Sequence, residues 1–98
     1  MRHEKIFKRE DGKQFQIIVE INIDTFRNEL PTWRVSCYTR EPKQKKWRFL
    51  PHTLGDYQIR SLPMIDREKH LYNNLLRFVT PEEILLVKIE LWQKIKPT

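Results

Sequence analysis

Residues able to do acid–base, nucleophilic or metal chemistry are few in this sequence and poorly grouped. Asp66 and His70 stand four apart in a stretch with helical spacing, so their side chains can meet. Such a pair orients a general base or supplies two metal ligands, but no third ligand stands near it, and a surface hydrogen bond is the simpler reading. His52 and Asp56 flank a Thr-Leu-Gly turn, and His3 lies in an N-terminal end expected to fray; each reads as structural or exposed. Glu41-Pro42-Lys43 matches the Glu-x-Lys half of a metal-dependent nuclease. That chemistry wants the pair on a strand beside another acid, and Pro42 argues for a loop. The single cysteine, Cys37, alternates onto the inner face of a strand and reads as a small buried hydrophobe. A phosphate-cradling Gly-rich loop, zinc-ligand spacing and Gly-x-Ser-x-Gly are all missing. The sequence therefore offers no catalytic residue, no metal site and no cofactor site. A binding protein is expected.

Charge suggests what is bound. Nineteen Lys and Arg against 13 Asp and Glu leave a net charge of +6, an excess that suits an anionic partner such as nucleic acid. The cations concentrate between Tyr38 and Leu50, where Arg40, Lys43, Lys45, Lys46 and Arg48 are opposed only by Glu41. Strand alternation puts Arg34, Tyr38, Arg40, Lys46 and Arg48 on one face, and the loop residues Lys43 and Lys45 extend it. Ammonium and guanidinium groups bind phosphates with release of counterions, and an interleaved tyrosine can stack on a base. The plainer alternative is a solvated sheet face with lysines that protect its edge.

These side chains need strands to hold them. Residues 4–9 read as a first strand, followed by Asp11-Gly12 as a two-residue type I′ hairpin turn. From Gln14 to Asp24 the pattern alternates: Phe15, Ile17, Val19, Ile21 and Ile23 on one face, polar residues and Ile18 on the other. Residues 28–32, with Pro31, break it. A third strand over Trp33–Arg40 sends Trp33, Val35, Cys37 and Thr39 inward. A fourth over Lys46–Leu50 is expected to send Trp47 and Phe49 inward, and Lys46 and Arg48 outward. Connections this short make the strands antiparallel. Residues 51–62 read as loop.

Two helices are predicted after the loop. The first, from Pro63 or Met64 to Phe78, has Met64, Leu71, Leu75 and Phe78 at helical spacing, with the mixed charges of residues 66–70 outside. The second opens on Thr80-Pro81-Glu82-Glu83, an N-cap, a first-turn proline and a capping box, and closes near Lys94–Lys96 before Pro97. Its apolar residues, Ile84, Leu85, Val87, Ile89, Leu91, Trp92 and Ile95, spread wider than one stripe. Either the helix is wedged between sheet and first helix, or it offers a surface to a partner protein or a second copy, with Leu91, Trp92 and Ile95 as anchors. The expectation is one α+β domain over residues 1–98: an antiparallel four-stranded sheet (4–50), then two helices (63–96) packed on one face.

The run Trp33-Arg34-Val35-Ser36-Cys37-Tyr38, followed by a polar loop and Lys45-Lys46-Trp47-Arg48, resembles the second hairpin of the sheet-type DNA-binding domains at the N-termini of phage and transposon integrases. The likeness covers about a fifth of the chain. It lacks the usual loop glycine, and two helices follow here instead of one. It implies a sheet face that meets nucleic acid. In size, in richness in Lys, Glu and Ile, and in lacking a catalytic motif, the chain also resembles small accessory proteins of phages and mobile elements, anti-CRISPR inhibitors among them. That resemblance implies a basic inhibitor occupying RNA, or the nucleic-acid-handling surface of an RNA-guided nuclease. The expected partner is nucleic acid, RNA before DNA, or a nucleoprotein effector; self-association through the last helix is the alternative. Met1–Lys5 leads into no apolar run of signal-peptide length, and the longest such run, Ile84–Val87, is too short for a bilayer, so a cytoplasmic location without membrane contact is expected.

Overall fold

The computed structural model describes residues 2–22, 32–58 and 66–95. Among them the elements run β1 (Arg2–Lys8), β2 (Gln14–Asn22), β3 (Thr32–Arg40), β4 (Arg48–Phe49), β5 (Gly55–Gln58), α1 (Asp66–Leu75) and α2 (Pro81–Ile95). The strands form one antiparallel sheet in the order β1-β2-β3-β4, with β5 also paired to β3. An antiparallel sheet four strands wide, its last position shared by β4 and β5, followed by two helices is thus the architecture. Residues 28–31 of the expected break and the start of α1 at Pro63 or Met64 lie outside the described residues, whereas Thr32, expected in that break, opens β3.

The β1–β2 turn differs from the two-residue type I′ turn expected. Gly12 alone in it has positive φ, +88°, and its N–H donates to the Arg9 carbonyl at 2.9 Å, while the Arg9 N–H donates to the Lys13 carbonyl at 2.8 Å. This is a three-residue loop closed by a glycine bulge, a geometry that asks for left-handed backbone at one position instead of two.

Residues 55–58 correct the loop reading. β4 and β5 lie end to end along one edge of β3: Phe49 pairs with Tyr38, and Gly55 pairs with Val35. Between them the edge bulges outward, with His52 at φ +62°. The buried Thr53 hydroxyl fills the gap in the ladder, accepting from the Cys37 N–H at 3.3 Å and donating to the Leu50 carbonyl at 2.7 Å. Gly55 lets β5 pack closely against α1, since a Cβ there would force Leu71 Cδ1 to shift.

Alternation along β2 and β3 builds the core as expected. Phe15, Ile17, Val19, Val35 and Cys37 face Leu75 and Val79 and the α2 residues Ile84, Val87 and Leu91. Burial raises the Cys37 thiol to about 12, which leaves it protonated and unreactive. Ile18, expected on a wet face, is buried there beside Ser36, which is also buried.

Thr80 caps α2 as predicted: its hydroxyl accepts from the Glu83 N–H at 3.1 Å, and Glu83 accepts from the Thr80 N–H at 2.9 Å. The same Glu83 carboxylate takes two hydrogen bonds of 2.7 Å from the Arg9 guanidinium, which also donates to the Phe78 carbonyl at 3.1 Å. Further along α2, Glu90 meets Lys5 Nζ at 2.7 Å and His3 Nε2 at 2.6 Å. His3 is therefore part of an ordered strand that clamps α2 to β1.

Candidate nucleic-acid interface

β3 presents Arg34, Tyr38 and Arg40 on the sheet face away from the helices, as alternation requires. Because Phe49 is the register partner of Tyr38, it falls on that same face, and their ring centroids are 5.4 Å apart. Arg40 stacks over the Trp47 ring at 4.4 Å and is anchored by hydrogen bonds from Nε (3.1 Å) and Nη2 to the Gln14 side-chain oxygen. A neutral amide holds this guanidinium in place without cancelling its charge. The result is a short row of three aromatic rings and one fixed cation along the sheet edge.

This reverses the expected facing of the fourth strand. Phe49, predicted inward, is 38% exposed on the far face, while Arg48 pairs with the inward residue Thr39 and so falls on the helix side of the edge. β4 spans only two residues, so the loop before it carries no alternation. The ring pairing of Tyr38 with Phe49 and the burial of Leu50 set its facing instead.

The loop between β3 and β4 folds on itself through the Gln44 N–H, which donates to the Glu41 carbonyl at 3.0 Å. Glu41, the only acid in it, lies 3.6 Å from Lys13. Gly12 is packed beneath the loop, where a Cβ would stand 3.0 Å from Pro42 Cγ. Lys43, Lys45, Lys46 and Arg48 are all exposed, and among the described residues no carboxylate comes within ion-pairing distance of them. Glu41, Gln44, Lys45, Lys46, Trp47 and Arg48 line a cleft of about 480 Å³.

Six of the seven predicted contact residues thus gather at one end of the sheet. Arg34 does not: it stands six residues from Arg40, roughly 20 Å at about 3.3 Å per residue, opposite Glu20. Sequence reading missed Trp47 and Phe49, taken as core. The available signal was two aromatic residues interleaved with Lys46 and Arg48.

The remaining candidates do not assemble. His52 and His70 are exposed, and among the described residues no three His, Cys, Asp or Glu side chains come together as metal ligands would. The Asp66 side chain lies outside the described residues, as does that of Ile95. Of the predicted partner anchors, Leu91 is fully buried in the core and cannot serve, whereas Trp92 is 52% exposed. No helix among the described residues is long and apolar enough to cross a membrane. Searches against family models, curated proteins and solved structures found no match to this chain.

Proposed function

We propose that this protein acts by binding single-stranded nucleic acid, RNA before DNA, at the β3–β4 edge. The observation that carries the reading is one edge of the sheet that joins three aromatic rings on its far face to exposed cations in the preceding loop and at Arg48, none of them met by a carboxylate among the described residues. Bases that are unstacked and free to turn outward can lie on Tyr38, Phe49 and Trp47, a sequence-tolerant contact worth about 1–3 kcal/mol per base. Arg40 supplies a guanidinium already oriented by Gln14. Lys43, Lys45, Lys46 and Arg48 supply phosphate contacts. A duplex hides its ring faces, so it would engage only the charges. RNA loops offer such bases more often than DNA does. Free RNA or the RNA of a nucleoprotein would serve equally; the phage-accessory resemblance favours the guide RNA of a nuclease, tested by co-purification and loss of cleavage.

Fluorescence anisotropy with labelled single-stranded RNA, single-stranded DNA and duplex, each over a series of salt concentrations, tests the reading. Four phosphate contacts at about −0.7 each give a log–log salt slope of about −3 for single strands. Replacing Lys43, Lys45 and Lys46 together by Glu is expected to weaken binding by roughly a hundredfold or more. Thermal unfolding should barely move, because these side chains are solvated and make no ion pair among the described residues. Binding of the triple variant equal to that of the parent would rule the reading out.

A further inference from the structure

We propose that α2 is the seam of a homodimer, in which a second copy of this chain packs antiparallel along Leu85, Ile89 and Trp92. These residues are spaced four and then three apart, one line along the helix, and are 56%, 45% and 52% exposed. The core of the same helix uses a different line, Ile84, Val87 and Leu91, all buried. A helix with two apolar lines has one more than its own fold consumes, and a 4-3 spacing is that of a helix–helix seam.

The surface around this line fits a copy of itself. Along its flank, Trp33 of β3 and the α2 residues Leu85, Lys88, Ile89, Trp92 and Gln93 line an open cleft of about 480 Å³. Projecting side chains and the hollow to receive them therefore lie in one patch, as a two-fold interface demands, since each contact occurs twice with roles exchanged. Charge points the same way. The chain carries +6, yet the cleft lining holds a single charged residue, Lys88, whose ammonium lies 6.0 Å over the Trp33 ring. A partner recruited by opposite charge would be met by exposed lysines, as at the β3–β4 loop. Here the like charges of two copies are kept away from the contact.

Orientation follows from the helix ends. The first turn of α2 holds Glu82 and Glu83 and the last turn holds Lys94. With Glu83 taken by Arg9, antiparallel packing sets Glu82 near the partner's Lys94 and opposes the two helix dipoles; parallel packing sets like against like. The sheet lies between α2 and its far face, so the dimer would stack sheet, helix, helix and sheet, with the two β3–β4 edges on separate subunits. The proposal does not depend on nucleic-acid binding.

Sedimentation equilibrium of the full chain over a range of concentrations, at low and high salt and without nucleic acid, tests it. A dimer little affected by salt is expected. Ile89→Asp and Trp92→Ala should each raise its dissociation constant about thirtyfold, as loss of a central interface side chain does, with circular dichroism unchanged. Antiparallel register is read by crosslinking with a short bismaleimide, Cys37 being buried. Ile89→Cys should link to itself, whereas Leu85→Cys should link to Trp92→Cys in a mixture and not to itself. A chain monomeric at every concentration overturns the proposal and leaves the face to a different protein. So does a dimer indifferent to Ile89→Asp, or one in which Leu85→Cys links to itself.

Discussion

The two edges of this sheet carry the same kinds of cation and treat them in opposite ways. Along β1, Lys5 and Arg9 are each met by a carboxylate of α2, with contacts of 2.7 Å, and His3 shares Glu90 with Lys5. Along β4 and the loop before it, Lys43, Lys45, Lys46 and Arg48 meet none among the described residues, and Arg40 is held by an amide and an indole. A basic residue answered by an internal acid contributes to docking of the helix. One held in position and left charged is available to something outside. Net charge cannot distinguish the two cases, but the pairing can.

The sharpest way to break this contrast is to exchange its outcomes. Glu83→Ala removes the acceptor of the Arg9 fork and half of the capping box together, so a loss of about 2–3 kcal/mol in urea-unfolding stability is expected, with nucleic-acid affinity unaltered. A fall in affinity matching that of the hairpin variants would erase the distinction between the edges. Next in size, Phe49→Ala should cost about 1–3 kcal/mol of binding to single strands while leaving the salt slope unchanged, because stacking releases no counterions. A flattened slope would mean that the ring merely positions a cation.

Gly55→Ala addresses the frame of the binding edge. The added methyl must displace Leu71, and about 1–2 kcal/mol of stability should be lost by thermal or urea melting, with binding altered only if β4 shifts along with β5. The smallest expected effect is the pH response. The Arg9 hydrogen bonds hold the Glu83 carboxyl below its ordinary 4.5, and Lys5, then His3, do the same for Glu90. A depressed folded value means the stabilisation is complete above the unfolded value near 4.5 and is lost as pH falls through the folded ones. Stability measured against pH should thus decline on the acid side of 4.5, and Glu83→Gln should flatten that limb. An unchanged acid limb in the variant would place the titration elsewhere.

Much of the framework is legible residue by residue. The alternation from Phe15 to Ile21 and from Trp33 to Thr39 and the cap at Thr80 follow from local patterns, whereas the buried line of α2 did not: its broad apolar set left Leu91 reading as a partner anchor, and it is core. The turn at Gly12 was legible as a turn and not as its type, because one positive φ and two leave the same dipeptide in the sequence. β5 was hidden because four residues, GDYQ, contain no β-branched side chain and show no clear period.

Local chemistry by itself determined that this chain makes strands first and helices last, which side of the long strands faces the helices, and that its cations crowd the third connection. Tertiary structure alone decided which cations are spent inside the molecule. The acids that answer Lys5 and Arg9 lie 85 and 74 residues further along the chain, beyond any periodic signal. It also decided the facing of β4, since two residues cannot establish an alternation and must take their side from the strand they join.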